Sequence, residues 1–180
     1  MRAIIVFDSM FGNTRQVAYA IAEGMGASHN VELFPVDDAP RQLDDRVALV
    51  VVGGPTHAHG LSTQTSRRVN PDQAAQGATA SRVGLKEWLV TLAAPTRRLA
   101  VATFDTRFAK PRWLTGSAAV LTARWLVRQG CTLVAPPQSF FIEHGSGPLL
   151  PGELDRARRW GATLARAVRA VESTRRQPTT

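Results

Sequence analysis

The stretch that decides the fold is Ala3-Ile4-Ile5-Val6-Phe7-Asp8-Ser9-Met10-Phe11-Gly12-Asn13-Thr14, which is followed by Val17, Ala18, Ile21, Ala22 and Met25. Residues 3–7 form an unbroken apolar run, which is typical of a strand buried on both faces. The apolar residues after the stretch recur at helical spacing and predict an amphipathic helix. A buried strand that turns through a glycine into a helix begins a βα unit, and it favours a parallel sheet.

The same alternation of strand and helix continues along the rest of the chain. Further strands are predicted at residues 31–34, 47–52, 99–104 and 131–135, the last of them extending towards Phe141 and Ile142. Pro136 and Pro137 interrupt that last strand, which therefore belongs at an edge of the sheet or carries a bulge. Further helices are predicted at residues 85–92, after Ser117 as N-cap, and from Pro151 as the first helical residue. This order predicts an α/β fold in which helices wrap a parallel sheet.

Length and composition predict a single domain at residues 1–172 and a disordered tail at residues 173–180. Of the 180 residues, 44% are hydrophobic and 20% are charged, as in ordinary folded chains. The longest apolar run, residues 47–52, is much shorter than the about 20 residues of a membrane-spanning helix. Residues 3–7 are too few for the apolar core of a secretory leader. The single cysteine, Cys131, excludes an intrachain disulfide and favours a reducing compartment such as the cytoplasm.

The positive charge is concentrated in the second half of the chain. Residues 1–90 carry 8 Lys and Arg against 9 Asp and Glu, whereas residues 91–180 carry 14 against 5. The net charge of +8 therefore lies entirely in the second half. Such a basic half favours an anionic partner, and the alternative explanation is a set of solvated arginines spread over helix faces.

Three segments at the ends of predicted strands contain the candidate binding residues, because ligands of open parallel sheets bind beyond the carboxyl ends of the strands. The first comprises Ser9, Met10, Phe11, Gly12, Asn13 and Thr14; the second runs from Gly53 through Pro55, Thr56, His57, Ala58 and His59 to Gly60; the third comprises Thr103, Phe104, Asp105, Thr106, Arg107 and Phe108. The first segment precedes a helix, so it is either a phosphate site or a turn in which Asn13 caps the helix. The adjacent Gly53 and Gly54 indicate that the backbone closely approaches a ligand or another segment.

These three segments resemble the flavin loops of the flavodoxin family. Ser9-Met10-Phe11-Gly12-Asn13-Thr14 is similar to its phosphate loop, with Phe11 in the place of a hydroxyl residue. This variant also resembles the loop in flavodoxin-like quinone reductases and in the flavodoxin modules of diiron flavoproteins. Residues 53–57 and 103–107 are similar to the second and third flavin loops. The resemblance covers about residues 2–171, and it implies a three-layer sandwich whose five-stranded parallel sheet has the order 2-1-3-4-5.

The resemblance implies FMN as the ligand. It places the phosphate on Ser9, Gly12, Asn13 and Thr14, one side of the flavin ring on Pro55, Thr56 and His57, and the pyrimidine edge of the ring along residues 104–107. Flavodoxins usually enclose the flavin between a Trp and a Tyr, and these loops offer no such pair. The candidates to replace that pair are His57, His59, Phe104, Phe108 and Trp113.

Arg107 has two competing interpretations. A cation near the N1 and C2 carbonyl edge of the flavin would stabilise the reduced anion and raise the two-electron potential. A salt bridge with Asp105 is the alternative. The nearby pair His57 and His59 lacks further ligands, so no metal site is predicted.

Two classes of function follow from the resemblance. An FMN-dependent electron carrier between proteins is favoured, because the chain has no recognisable nicotinamide motif and FMN alone supplies the redox chemistry. An NAD(P)H-dependent quinone reductase is the alternative, with residues 61–83 helping to build its pocket. A flavodoxin-like interaction module without FMN is a third possibility. The cations Arg107, Lys110 and Arg112 favour an acidic redox partner or an anionic substrate rather than nucleic acid.

Overall fold

A computed structural model describes residues 2–26, 30–56, 60–61, 81–93, 98–143 and 147–176. The strands are β1 (Arg2–Phe7), β2 (Asn30–Pro35), β3 (Val47–Pro55), β4 (Ala100–Phe108), β5 (Thr132–Leu133) and β6 (Gln138–Ile142). The main helices are α1 (Asn13–Met25), α2 (Leu85–Thr91), α3 (Ala118–Arg128) and α4 (Glu153–Arg176). A 3-10 turn at Val36–Asp38 and a one-turn helix at Arg112–Thr115 complete the described elements.

The strands form one parallel sheet in the order β2-β1-β3-β4-β5, which confirms the predicted α/β fold and strand order. β5 and β6 both pair with β4, so together they form one interrupted edge strand. Val101 of β4 lies opposite Leu133, whereas Phe104 lies opposite Gln138, so the edge carries two additional residues between these pairs. Pro136 and Pro137 fall in this interval, where a residue without an N–H group interrupts no regular ladder.

Both faces of the sheet are covered by helices. Ile5, Val51 and Phe104 belong to a core shared with α1 and α4, whereas Val6 and Val52 belong to a second core that includes Trp88 of α2 and Leu126 of α3. This arrangement explains the unbroken apolar runs, because alternate residues of each strand point into opposite cores. Among the described residues, no helix is long and apolar enough to cross a membrane.

Two predictions about the last helix were wrong. α4 begins at Glu153 rather than at Pro151, because Pro151 and Gly152 form a turn in which Gly152 has a φ of 82°. The helix also continues to Arg176, so residues 173–176 are not part of a disordered tail. Ser173 Oγ donates to the carbonyl oxygen of Ala170 at 2.8 Å, a bond that follows the helical turn. Residues 62–80, which form most of the predicted lid, lie outside the described part of the chain.

Candidate functional site

A cavity of about 190 Å³ opens at the carboxyl ends of β1, β3 and β4. Its lining comes from all three predicted segments and comprises Ser9, Met10, Phe11, Asn13, Thr14, Pro55, Thr56, Thr106, Arg107, Phe108 and Ile142. The fold therefore brings most of the candidate residues to the edge of the sheet where open parallel sheets bind their ligands. Ile142 is the one lining residue that the sequence did not suggest. Ile142 is the last residue of β6 and lies opposite Phe108. The predicted end of the edge strand was therefore the sequence feature that could have indicated it.

The first segment leaves the amino end of α1 open towards this cavity. Gly12 is the N-cap residue, with a φ of 87° and no side-chain cap, and no acidic residue stands in the first turn. The alternative in which Asn13 caps the helix is wrong, because Gly12 is the N-cap residue and Asn13 is the first residue of the helix. Asn13 Nδ2 instead donates to the carbonyl oxygen of Gly147 at 2.8 Å. Ser9 Oγ accepts a hydrogen bond from the backbone N–H of Arg15 at 3.2 Å. Helix N–H groups without an acidic neighbour favour an anion at this position.

Close packing accounts for the two adjacent glycines of the second segment, Gly53 and Gly54. A Cβ atom on Gly53 would lie 2.1 Å from the ring of Phe104, and one on Gly54 would lie 2.5 Å from Leu85 Cδ1. At both positions the backbone therefore closely approaches another segment of the chain, which is one of the two explanations that the glycine pair allowed. Gly60 lies outside the cavity, where its Cβ position is 3.3 Å from Leu121 Cδ1. His57, Ala58 and His59 lie outside the described residues.

Thr56 connects the second and third segments. Its Oγ1 donates to Asp105 Oδ2 at 3.1 Å and accepts from the backbone N–H of Ala118 at 3.0 Å. Asp105 Oδ2 also accepts from Ser117 Oγ at 2.5 Å and from the backbone N–H of Ala119 at 3.0 Å. This fully buried carboxylate therefore holds the end of β3 against the amino end of α3. Ser117 caps that helix as predicted, since its Oγ accepts from the backbone N–H of Val120 at 3.3 Å.

The third segment proved to be the end of β4 rather than a loop, so its residues alternate between the two faces of the sheet. Phe104 is only 1% exposed, and its ring meets Phe140 and Trp160 edge to face at centroid distances of 6.1 and 6.3 Å. Its assignment to the flavin site is corrected, because its side chain belongs to the core. Thr103 is buried as well, with Oγ1 donating to the carbonyl oxygen of Ala119 at 3.0 Å.

Thr106 faces the first segment across the cavity floor. Its Oγ1 lies 2.8 Å from Thr14 Oγ1, and both residues are buried. The backbone of Thr106 is also tied to the second segment, since its carbonyl oxygen accepts from the N–H of Thr56 at 2.9 Å. This one residue thus connects all three segments that line the cavity.

Arg107 lines the cavity with a guanidinium group that is held by neighbouring protein atoms. Its Nε donates to Ser139 Oγ at 3.0 Å, and its Nη1 donates to the Lys110 carbonyl oxygen at 2.5 Å and to Thr115 Oγ1 at 2.9 Å. Nε lies 4.0 Å from Asp105 Oδ1, a buried oxygen with no hydrogen-bond partner. Burial lowers the pKa of Arg107, and the charge of Asp105 opposes that shift. The guanidinium is therefore close to Asp105, as the salt-bridge interpretation expected, and Arg107 also lines the cavity; its effect on a flavin stays a prediction.

Exposed basic and apolar residues follow the end of β4 in the chain. Lys110 and Arg112 are exposed, and Trp113 has 83% of its surface exposed beside Leu114 at 46%. Phe108 lines the cavity and is 37% exposed. Within the described ranges, no group of three or more His, Cys, Asp or Glu residues could hold a metal ion.

Comparison with known proteins agrees with this fold. A model of the flavodoxin family matches residues 5–90. The structure is similar to an archaeal flavodoxin, at 19% identity over 94% of this chain and 99% of that chain, with a TM-score of 0.63. It is similar to oxidised flavodoxin 1 of Bacillus cereus, at 15% identity over 92% of this chain and 98% of that chain, with a TM-score of 0.64.

A third similar structure is a larger enzyme. Rubredoxin oxygen:oxidoreductase of Desulfovibrio gigas matches at 19% identity over 94% of this chain and 36% of that chain, with a TM-score of 0.60. No curated protein matches the sequence. The family match supports the predicted resemblance to the flavodoxin family over residues 5–90, which contain the first two segments, and the solved structures confirm the flavodoxin-like fold.

Proposed function

We propose that this chain, which matches the flavodoxin family over residues 5–90 and has the fold of flavodoxins, is an FMN-binding electron-transfer protein. FMN is the cofactor of that family, and when bound it supplies the exchange of one or two electrons. The observation that carries the proposal is the cavity at the carboxyl ends of β1, β3 and β4, which opens beside the amino end of α1, where the N-cap residue Gly12 has no side chain.

The phosphate end of FMN fits the first segment. The open N–H groups of α1 and the absence of an acidic residue from its first turn favour a dianion there. Ser9 and Thr14 add hydroxyl groups at the cavity wall. No cation of the first segment lines this part of the cavity, so neutral donors and the helix end hold the phosphate.

The ring end of FMN fits over the ends of the second and third segments. Pro55 and Thr56 line the cavity beside Thr106, Arg107 and Phe108. Phe108 and Trp113 are described and exposed, and they remain candidates to cover the flavin together with His57 and His59, which lie outside the described residues. The buried guanidinium of Arg107 places a positive charge beside the ring.

The exposed residues that follow β4 support an acidic redox partner. Lys110 and Arg112 precede the exposed Trp113 and Leu114, which is the mixture of cationic and apolar groups that a transient electrostatic contact uses. A reducing compartment such as the cytoplasm is proposed because the single cysteine, Cys131, is a buried free thiol. Burial raises the pKa of that thiol and keeps it unreactive.

Reconstitution with FMN tests the proposal. The purified chain should bind FMN with quenching of the flavin fluorescence, and the loaded protein should exchange electrons with an acidic redox protein more slowly as the salt concentration rises. Failure to bind FMN would leave only an interaction module. Rapid reduction by NAD(P)H with turnover of a quinone would replace the carrier by a reductase.

A further inference from the structure

A second cavity lies between α2 and α3 and shares no lining residue with the candidate flavin site. It has a volume of about 420 Å³ and is lined by Leu61, Lys86, Leu89, Val90, Leu121, Arg124, Trp125 and Arg128. We call it the α2–α3 groove. Leu89 is buried at its base, whereas Val90 and Leu121 are 67% and 42% exposed. Contiguous exposed apolar groups with a charged rim are typical of a protein interaction site.

All the charged residues that line the α2–α3 groove are cations. Lys86, Arg124 and Arg128 are exposed, and none of them forms an ion pair with another residue in the described ranges. On α3, Leu121 and Trp125 are four residues apart, as are Arg124 and Arg128. This spacing places an apolar row beside a basic row along the helix.

We propose that the α2–α3 groove docks an acidic amphipathic helix of a partner protein. The apolar row of α3 and the side chains of Leu89 and Val90 would receive the apolar face of such a helix. Asp and Glu residues beside that face would meet Lys86, Arg124 and Arg128. The 11 residues of α3 span about 16 Å, which matches about three turns of a docked helix. The proposal does not depend on FMN, because the groove and the flavin site have separate linings.

Charge disfavours the other occupants. A second copy of this chain carries the same three cations at the same groove, so a symmetric contact would place like charges together. Residues 62–80 follow Leu61 directly, but they contain Arg67 and Arg68 against a single Asp72, and Val69 is their only large apolar residue. Nucleic acid would match the cations, but it would leave the exposed Val90 and Leu121 without an apolar partner.

A labelled synthetic helix tests the groove on the full chain. The probe is a peptide of about 14 residues with leucines at helical spacing and glutamates beside them, and the matched probe carries lysine in place of each glutamate. Fluorescence anisotropy measures both affinities, and the indole N–H signal of Trp125 in a nitrogen–proton correlation spectrum reports the place of binding. The variant is R124E with R128E. The control is the double variant R159E with R169E. It changes the net charge of the protein by the same amount as the groove variant, but at exposed residues of α4.

We expect the glutamate peptide to bind with a dissociation constant in the micromolar range and to shift the Trp125 signal. The groove variant should weaken binding by about tenfold or more, and the α4 control by less than about threefold. Equal losses in the two variants, binding without a shift at Trp125, or no binding at millimolar peptide would overturn the proposal. Tighter binding of the lysine peptide, of a peptide of residues 62–80, or of a single-stranded oligonucleotide would overturn it as well. FMN binding serves as the check that each variant is folded, with circular dichroism as a second check independent of the flavin.

Discussion

The hydroxyl oxygens of Thr14 and Thr106 lie 2.8 Å apart, and this contact joins the first turn of α1 to the end of β4. A hydroxyl group has one proton to donate and two lone pairs to accept with. If Thr106 donates to Thr14, the proton of Thr14 stays available for an anion at the open helix end. Thr106 therefore orients a group that faces the phosphate position without itself belonging to the first segment.

Replacing Thr106 by valine should weaken FMN binding by about tenfold, because Thr14 loses the partner that orients its hydroxyl. It should also lower the free energy of unfolding by about 1–3 kcal/mol, since the buried Thr14 oxygen loses its bond. Titration of FMN fluorescence and urea unfolding measure the two effects. Thr103→Val is the matched control, because Thr103 Oγ1 bonds the Ala119 carbonyl away from the cavity lining. Equal losses of FMN affinity in both variants would contradict this role of Thr106.

A substitution at Gly12 tests the phosphate loop by changing only its backbone conformation, since the added Cβ meets no neighbouring atom. Gly12→Ala should cost about 1–3 kcal/mol, because a side chain strains a residue with a φ of 87° although no atom lies within 4 Å of the new Cβ. FMN affinity should fall by about tenfold, since relief of that strain reorients the N–H groups of the first turn. Gly26 at the other end of α1 has a φ of 81° and equal space. Gly26→Ala should therefore lose similar stability in urea and keep its FMN affinity.

The fold and the first segment could be predicted from the sequence because both depend on local patterns. Apolar runs, apolar residues at helical spacing and the glycine turn can each be recognised from residues that are close in sequence. Pro136 and Pro137 likewise indicate that the edge strand is interrupted. The faces of β4 could not be predicted in this way. Residues 99–104 lie between two cores, so the apolar run has no alternation that would show which side Phe104 takes.

The place of Ile142 in the cavity could not be predicted for a different reason. The sequence predicts that the edge strand extends towards Ile142, but β6 resumes after an interval that shifts its register by two residues relative to β5, and sequence spacing alone does not reveal such a shift. Ile142 therefore reaches the cavity through its tertiary pairing with β4. The network around Asp105 depends likewise on Ser117 and Ala119 of a distant helix.

Replacing Asp105 by asparagine should destabilise the protein by about 3 kcal/mol, as removal of one partner from a buried charged pair does. The substitution leaves the buried guanidinium of Arg107 without its nearest carboxylate and introduces an amide donor beside bonds that need an acceptor. Urea unfolding measures the loss. Asp155→Asn is the control, because that carboxylate is 68% exposed and pairs with Arg158 on the surface, where a change below about 0.5 kcal/mol is expected. Similar values for the two variants would contradict the structural role of Asp105.

Arg107→Gln should lower the two-electron potential of bound FMN by about 30 mV, which corresponds to about 1.4 kcal/mol. The reason is the loss of a buried positive charge from the cavity wall, where low exposure limits screening by water. Glutamine keeps a donor for Ser139 or the Lys110 carbonyl. The potential is measured by equilibration with a reference dye. Arg112→Gln removes a solvent-exposed cation nearby, and an equal shift in that variant would assign the effect to general surface charge instead.

The surface pairs around Asp44 predict how stability depends on acid. Hydrogen bonds from Arg46 hold the pKa of Asp44 at about 2, below the ordinary value of 3.8. A carboxylate with a lowered pKa in the folded state stabilises that state above its unfolded pKa, and the benefit disappears as the pH falls through the folded value. Unfolding free energies of the natural protein and of Asp44→Asn should therefore differ by a constant amount above about pH 4 and converge between about pH 4 and pH 2. Urea unfolding across this range measures both curves. Asp38→Asn is the control, and a difference that persists unchanged at pH 2 would mean that Asp44 acts through packing rather than through its charge.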